Sequence, residues 1–160
     1  MIVKKMRSIG IIHSPYTNMV GMPIQPMGAQ KIEGKVIVDK KFAKGLKDLD
    51  GFSHIYLIYR FHKASRTQLI VKPFMDIKHH GIFATRSPLR PTHIGLSIVE
   101  LASLKGNELR IRGCDMLDGT PLLDIKPYIP AFDGIKGATS GWMKASRSMI
   151  RKARSDCRFL

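Results

Sequence analysis

The chain has 160 residues and is 44% hydrophobic, which is typical of one globular domain whose core needs no disulfide bonds. Lys and Arg total 27 against 12 Asp and Glu, and the formal net charge of +15 favours polyanionic partners, nucleic acid first and anionic membrane second. The longest apolar run, residues 55–59, is too short to span a bilayer, and no signal-peptide apolar region forms ahead of Pro15. We therefore expect no membrane segment and a cytoplasmic protein.

Apolar or alternating segments, separated by Gly, Pro, Asn and Asp, predict strands along most of the chain. In chain order they cover residues 7–14, 35–38, 53–61, 81–85, 94–101 and 108–114. Phe42, Leu46 and Leu49 have helical spacing ahead of Asp50 and Gly51, which predicts one helical turn. The pattern as a whole predicts a mainly β protein, a small β-barrel with short helices.

The C-terminal residues 136–160 differ from the rest in charge, because they contain seven basic residues and one acidic residue, Asp156. We treat residues 1–135 as the barrel domain and 136–160 as a basic helical extension. From Trp142 onward, basic residues at steps of three and four predict a helix with one basic stripe: Lys144, Arg147, Arg151, Arg154 and Arg158. No acid balances this stripe, so we expect it to contact an RNA or DNA backbone. The alternative is a solvated surface helix.

Several familiar site patterns are missing from the sequence. There is no Gly-x-Gly and no Gly-Lys-Ser/Thr, so neither a dinucleotide fingerprint nor a phosphate-binding loop is present. His79 and His80 are adjacent, but no Cys or carboxylate flanks them at ligand spacing, so we expect no metal. Cys114 and Cys157 are in no metal or redox spacing and are expected to be free thiols.

A loop braced by two prolines carries two arginines between probable strands. Arg86 and Arg90 lie beside Pro88 and Pro91, which restrict the backbone and hold the two side chains in place. Fixed guanidinium groups suit planar anions. The alternative is that each arginine pairs with a local acid or caps backbone carbonyls.

The segment that follows the last predicted strand carries a tight turn and an unusual carboxylate. Asp118, Gly119, Thr120 and Pro121 form a turn sequence, which by itself indicates only a strand connection. Asp124 lies between Leu123 and Ile125 in an apolar, strand-like run, where a carboxylate needs either a partner or a task.

Five segments in this order resemble one family: IGIIHSPY at 9–16, PIQP at 23–26, GLKDLDGFSH at 45–54, ATRSPLRPTHIGLS at 84–97 and DGTPLLDIKPYIP at 118–130. The sequence is similar to the TsaA-like, TrmO-type tRNA methyltransferases. The resemblance implies a non-Rossmann β-barrel that forms homodimers and binds S-adenosylmethionine near the subunit interface. It also implies methylation of N6 of threonylcarbamoyl-adenosine, next to the anticodon of threonine tRNA.

The resemblance also implies site residues. The cofactor-contacting motifs of the family correspond to Gln25, Pro26, His62, Lys63, Arg86, Leu96, Asp118, Gly119, Thr120 and Pro121. This chain has Thr92-His93 where the family usually has Asn-Pro, which puts any contact of that asparagine amide in doubt.

The chemistry of such a transfer adds further candidates. The N6 nucleophile must lose a proton, and the candidate acceptors are Asp124, Tyr128, His62 and Asp118. The threonyl carboxylate of the substrate needs a cation, a role that suits Arg86 or Arg90. Two other functions remain open at this point: a non-catalytic RNA-binding barrel and a small-molecule methyltransferase on the same barrel.

Overall fold

Six antiparallel strands close a barrel in the computed structural model, which describes residues 6–160. Around the barrel the order is β1, β2, β7, β6, β3 and β8, with bounds Gly10–His13, Glu33–Val38, Glu108–Arg112, Ile94–Lys105, His54–Arg60 and Thr120–Pro127. A separate two-stranded ribbon pairs β4 (Ile70–Val71) with β5 (His80–Gly81). The α-helices are α1 (Pro130–Asp133) and α2 (Arg147–Lys152). Single 3-10 helices span Pro26–Gly28, Lys40–Leu46, Leu49–Gly51, Ile82–Ala84 and Cys157–Phe159.

Every second side chain along the strands points into the barrel and fills its interior. On β3 the side chains of Ile55, Leu57 and Tyr59 point inward and are buried, while the residues between them are more exposed. They pack against buried aliphatic side chains of the other strands, among them Ile12, Val36, Val99, Leu109, Ile111 and Leu122. The barrel interior is therefore a packed core, and a binding site has to lie among the connecting loops.

A glycine on β6 makes room for the Tyr59 ring. Gly95 pairs with Tyr59 across the β3–β6 ladder, and a Cβ at position 95 would overlap the Tyr59 ring. Because glycine has no Cβ, the ring lies flat over the strand. Its hydroxyl then reaches Ser97, two residues further along β6.

Most of the predicted strands are present, so the mainly β barrel with short helices is confirmed. The helical turn predicted near Phe42 is the 3-10 helix Lys40–Leu46. The strand predicted at 81–85 is wrong, because after Gly81 the chain forms the 3-10 helix Ile82–Ala84. The Thr85 hydroxyl donates to the Ile82 carbonyl and closes this turn.

The basic helix predicted from Trp142 onward in the C-terminal extension is present but much shorter than predicted. Helix α2 has six residues, and it begins at Arg147 because the Ser146 hydroxyl accepts from the Met149 N–H. After Lys152 the chain pairs with the 21–23 loop through an Arg154–Pro23 bridge. Lys144, Arg154 and Arg158 therefore lie outside the helix, and the five basic residues do not share one helical stripe. Within residues 6–160 no helix combines the length and apolarity needed to cross a membrane.

Candidate functional site

A cavity of about 1130 Å³ lies between one end of the barrel and the C-terminal segment. Five parts of the chain meet there: the 19–27 loop, the end of β3 with the residues that follow it, residues 73–75, the proline-braced loop before β6, and the 115–120 connection after β7. The C-terminal segment covers it with Trp142, Met143, Ile150 and Phe159. Loops that are far apart in sequence thus form one site.

The structure sorts the predicted site residues into two groups. The cavity wall includes Gln25, Pro26, His62, Lys63, Arg86, Arg90, Leu96 and Thr120. The wall does not include Asp118, Gly119, Pro121, Asp124, Tyr128, Lys144, Arg147, Arg151, Arg154 or Arg158.

The two arginines of the braced loop have defined partners. Arg86 Nη1 donates to Gln25 Oε1 over 2.9 Å, which joins two of the predicted cofactor motifs. Arg90 Nη1 donates to the Thr85 carbonyl over 3.1 Å. Neither arginine forms an ion pair among residues 6–160, so most of their donors are available to an anion in the cavity.

His93 shows how the loop departs from the family sequence. Its φ is +51°, and its ring nitrogen Nδ1 lies 2.9 Å from the Pro88 carbonyl. Proline cannot adopt this conformation, because its ring fixes φ near about −65°. The loop before β6 therefore has a backbone geometry that an Asn-Pro pair at positions 92 and 93 would not allow.

The Asp118 turn connects β7 to β8 and forms hydrogen bonds with β1 and the residues that follow it. Asp118 Oδ1 accepts from the Ser14 N–H over 3.1 Å and lies 3.2 Å from His13 Nδ1. The Ser14 N–H first, and His13 after it, lower the pKa of Asp118. Gly119 occupies the left-handed region at φ +75°. Within this turn, Thr120 is the residue that lines the cavity.

Asp124 and Tyr128 lie away from the cavity. Asp124 Oδ2 is 3.0 Å from Lys126 Nζ, so the carboxylate in the apolar run has a partner, and its side chain is 47% exposed. The Tyr128 ring packs on Tyr56, with 5.7 Å between ring centroids. Both residues have local structural roles.

His62 is the proton-acceptor candidate that the structure places in the cavity wall. Its Nδ1 lies 3.4 Å from Thr120 Oγ1. Burial lowers the pKa of His62, the Lys63 charge lowers it further, and Asp118 acts in the opposite direction. The imidazole is therefore mainly neutral at pH 7 and able to accept a proton.

Sequence reasoning missed Asp115, which also lines the cavity. Ser97 Oγ donates to Asp115 Oδ1 over 2.8 Å, and the Tyr59 hydroxyl lies 3.1 Å from Ser97 Oγ. Burial raises the pKa of Asp115 to about 7, although the Ser97 hydrogen bond and then the Arg86 charge lower it. The signal was present, since Asp115 lies between the apolar residues Cys114 and Met116 just as Asp124 lies between Leu123 and Ile125.

The C-terminal segment is fixed to the barrel at several points. Trp142 Nε1 donates to the Ala84 carbonyl over 2.8 Å, and its ring stacks on His80 with 4.3 Å between centroids. Arg158 forms an ion pair of 2.7 Å with Asp156 and donates to the Pro73 carbonyl. Arg154 donates to the carbonyls of Arg151 and Ala153. Two of the five predicted phosphate-binding residues are thus held by contacts within the chain.

The other three basic residues of the predicted stripe, Lys144, Arg147 and Arg151, are exposed. Within the described part of the chain, no group of three or more His, Cys, Asp or Glu side chains is arranged to bind a metal ion. Neither cysteine forms a disulfide; Cys114 is buried and Cys157 is exposed.

Comparison with known proteins identifies the class of protein as a β-barrel tRNA methyltransferase. A model of the tRNA-methyltransferase O N-terminal domain matches residues 11–134. A crystal structure of TrmO from Pseudomonas aeruginosa superposes with a TM-score of 0.75 at 34% identity and covers 88% of this chain and 63% of that chain. The chain belongs to the TrmO family.

Two further relatives are similar to this chain in sequence. A probable S-adenosyl-L-methionine-binding protein of Pyrococcus abyssi is 53% identical over 96% of this chain and 83% of the relative. A mouse tRNA (adenine(37)-N6)-methyltransferase is 35% identical over 78% of this chain and 31% of its own length. The predicted family, barrel fold and enzyme class are confirmed, and S-adenosylmethionine as the predicted cofactor agrees with the names of these relatives.

Proposed function

We propose that this chain is an S-adenosylmethionine-dependent methyltransferase that modifies N6 of an adenosine in tRNA, with the cavity as its cofactor site. One observation carries the proposal. Three motifs that the family resemblance assigns to the cofactor, at Gln25-Pro26, His62-Lys63 and Arg86, converge on a single cavity from separate parts of the chain.

The cavity suits this cofactor in size and chemistry. Its volume of about 1130 Å³ is slightly above the roughly 300–1,000 Å³ of typical small-molecule sites, which leaves space for the cofactor. The wall is mostly apolar, and its polar side chains include those of Gln25, His62, Lys63, Arg86, Arg90, Asp115 and Asp156. When bound, S-adenosylmethionine supplies a methyl group activated by a sulfonium charge. Apolar walls exclude water from such a group.

The proton on N6 needs an acceptor, and His62 is the candidate that faces the cavity. We propose that its neutral imidazole takes this proton, while positioning of the adenine contributes most of the rate. His62→Asn should lower the rate of methyl transfer far more than Asp124→Asn or Tyr128→Phe. Calorimetry with the cofactor separates this loss from a loss of binding. An unchanged rate in His62→Asn would remove His62 from this role.

The nucleoside we propose is threonylcarbamoyl-adenosine next to the anticodon of threonine tRNA. Arg90 and Arg86 line the cavity and keep donors free for the carboxylate of its threonyl group. The net charge of +15 suits a polyanionic substrate. Bases of an anticodon loop are already accessible, so no duplex has to be opened.

We also propose a homodimer that acts in the cytoplasm. Leu96 and Ile98, on the same face of β6, line the cavity and are 45% and 39% exposed. Exposed aliphatic side chains of this kind favour burial against a second subunit. Light scattering with and without the cofactor tests the dimer, and a monomer under both conditions contradicts it.

Methyl transfer separates the proposed function from its alternatives. Folded protein is incubated with labelled S-adenosylmethionine and either bulk tRNA or the nucleoside alone. We expect label in tRNA. A non-catalytic RNA-binding barrel would bind tRNA without transferring label, and a small-molecule enzyme would methylate the free nucleoside with no need for RNA.

A further inference from the structure

A carboxyl group at the cavity is the feature of this site that the family motifs leave unassigned. Asp115 lines the cavity in the connection after β7, between two buried residues. A carboxylate is rarely placed among apolar residues without a partner or a task. Within residues 6–160 its one side-chain hydrogen-bond partner is Ser97 and it forms no ion pair, so the carboxyl is oriented but has no directly paired cation.

The support beneath Asp115 is rigid. Ser97 is 2% exposed and uses its hydroxyl hydrogen for Asp115, so the Tyr59 hydroxyl donates to Ser97 in turn. Tyr59 is itself fixed by its packing over Gly95. A chain of hydrogen bonds from the barrel core therefore aims one carboxyl group at the cavity, and such pre-organisation is typical of groups that bind charge.

We propose that Asp115 binds a cationic group of the S-adenosylmethionine molecule, either the sulfonium or the ammonium. This rests on the proposed function, since it assumes that the cavity is the cofactor site. In a mostly apolar cavity a positive charge needs an opposite charge. The cavity wall contains one other carboxylate, Asp156, and that one is paired with Arg158.

The ionisation of Asp115 provides a readout that does not depend on turnover. Its pKa of about 7 leaves roughly half of the carboxyl groups protonated at neutral pH. A cationic ligand stabilises the ionised form, so binding should release up to about half a proton at pH 7. Affinity should then rise between about pH 6 and pH 8.

Several other titratable or charged side chains lie near Asp115. Tyr16, Tyr59 and Cys114 face it from the N-terminal loop, β3 and the preceding residue, and burial raises all three of their pKa values. They stay protonated over this range. Arg86 stays charged. His62 lines the same cavity and can also exchange a proton. Proton release measured with His62→Asn therefore shows how much of the release does not come from His62.

The test is calorimetry of the whole chain with S-adenosylmethionine and with S-adenosylhomocysteine, which lacks the sulfonium, in two buffers of different ionisation enthalpy. Asp115→Asn keeps the shape and an acceptor for Ser97. We expect it to bind S-adenosylmethionine roughly 10- to 100-fold more weakly and to release no proton. Asp39→Asn, at an exposed carboxylate without a capping hydrogen bond and outside the cavity wall, should behave as wild type.

The outcomes decide between the possibilities. Weaker binding of S-adenosylmethionine alone assigns Asp115 to the sulfonium, and weaker binding of both ligands assigns it to the ammonium. Unchanged affinity and unchanged proton release in a folded Asp115→Asn protein overturn the proposal. If wild type does not bind S-adenosylmethionine at all, the proposed function itself is wrong.

Discussion

Ser97 donates a hydrogen bond of 2.8 Å to Asp115, which ties a cavity carboxyl to a strand of the barrel. Burial outweighs this bond and raises the pKa of Asp115 from its ordinary value of 3.8 to about 7. The folded protein therefore binds this proton more tightly than the unfolded chain does.

The first prediction concerns stability against pH. The contribution of Asp115 is fully present below about pH 4 and is lost as the pH rises through about 7. Asp115→Asn has no such proton to lose. The free energy of unfolding of Asp115→Asn relative to wild type should therefore increase between pH 4 and pH 8, by up to a few kcal/mol, since one pKa unit is about 1.4 kcal/mol.

Urea unfolding of both proteins at pH 5, 6, 7 and 8 measures this difference. The comparison removes the titration of all other groups. A difference that stays constant over this range would show that Asp115 is not protonated in the folded protein.

The second prediction concerns the turn before β8. Gly119→Val places a β-branched residue at φ +75°, where the space is open but the backbone conformation is unfavourable by about 1–2 kcal/mol. The strained turn should displace Leu117 and Thr120, which line the cavity, so cofactor affinity should fall. Gly106→Val is the matched control, because Gly106 has φ +61° and open space but lies in the β6–β7 turn.

Calorimetry on both folded variants gives the answer. Loss of affinity in Gly119→Val alone supports a link between the turn and the cofactor. Equal affinity in the two variants means that the turn only connects strands.

The third prediction concerns the wall formed by the C-terminal segment. Trp142 is the single tryptophan of the chain and lines the cavity, so its fluorescence should change when the cofactor binds. Trp142→Phe keeps an aromatic ring on His80 but loses the donor to the Ala84 carbonyl. It should weaken binding less than Trp142→Ala, which opens the wall. Unaltered fluorescence at cofactor saturation, together with normal affinity of Trp142→Ala, would place the cofactor elsewhere.

The fourth prediction concerns RNA. Arg147 and Arg151 are exposed on α2, one turn apart, and replacing both by Gln should leave stability nearly unchanged. The affinity for tRNA should fall, and the slope of log affinity against log salt should become shallower by about 2, roughly one unit per lost phosphate contact. Cofactor affinity should not change.

Filter binding across a salt series measures the slope, and Lys44 and Lys47, exposed on and just after another helix, provide a matched pair for substitution by Gln. The same loss in both double variants would indicate only a general effect of net charge. No loss in the Arg147 and Arg151 variant would leave α2 as a solvated helix.

The barrel was predictable because short apolar runs between turn residues mark its strands. Residues 53–61 and 94–101 contain such runs, and they form β3 and most of β6. The error at 81–85 arose because an apolar Ile-Phe-Ala run fits a strand or a 3-10 turn equally well. The two hydrogen bonds that Thr85 donates to the Ile82 carbonyl stabilise the 3-10 turn instead of a strand.

The C-terminal segment was less predictable because tertiary contacts override periodicity there. Basic residues recur at helical spacing from Lys144 to Arg158, yet the backbone of Ser155 pairs with Gly21 and Met22 and ends any helix before it. Such pairing depends on a loop more than a hundred residues away. The place of Asp115 in the cavity was hidden for a similar reason, since Ser97 lies on another strand.

Methylation of threonylcarbamoyl-adenosine in tRNA is measured by mass spectrometry of the nucleosides. Threonine tRNA that carries threonylcarbamoyl-adenosine is incubated with the protein and S-adenosylmethionine, digested and analysed. We predict that threonylcarbamoyl-adenosine gains the mass of one methyl group, located on the base by fragmentation. An unchanged nucleoside, with protein shown to be folded and bound to the cofactor, would contradict the proposed activity.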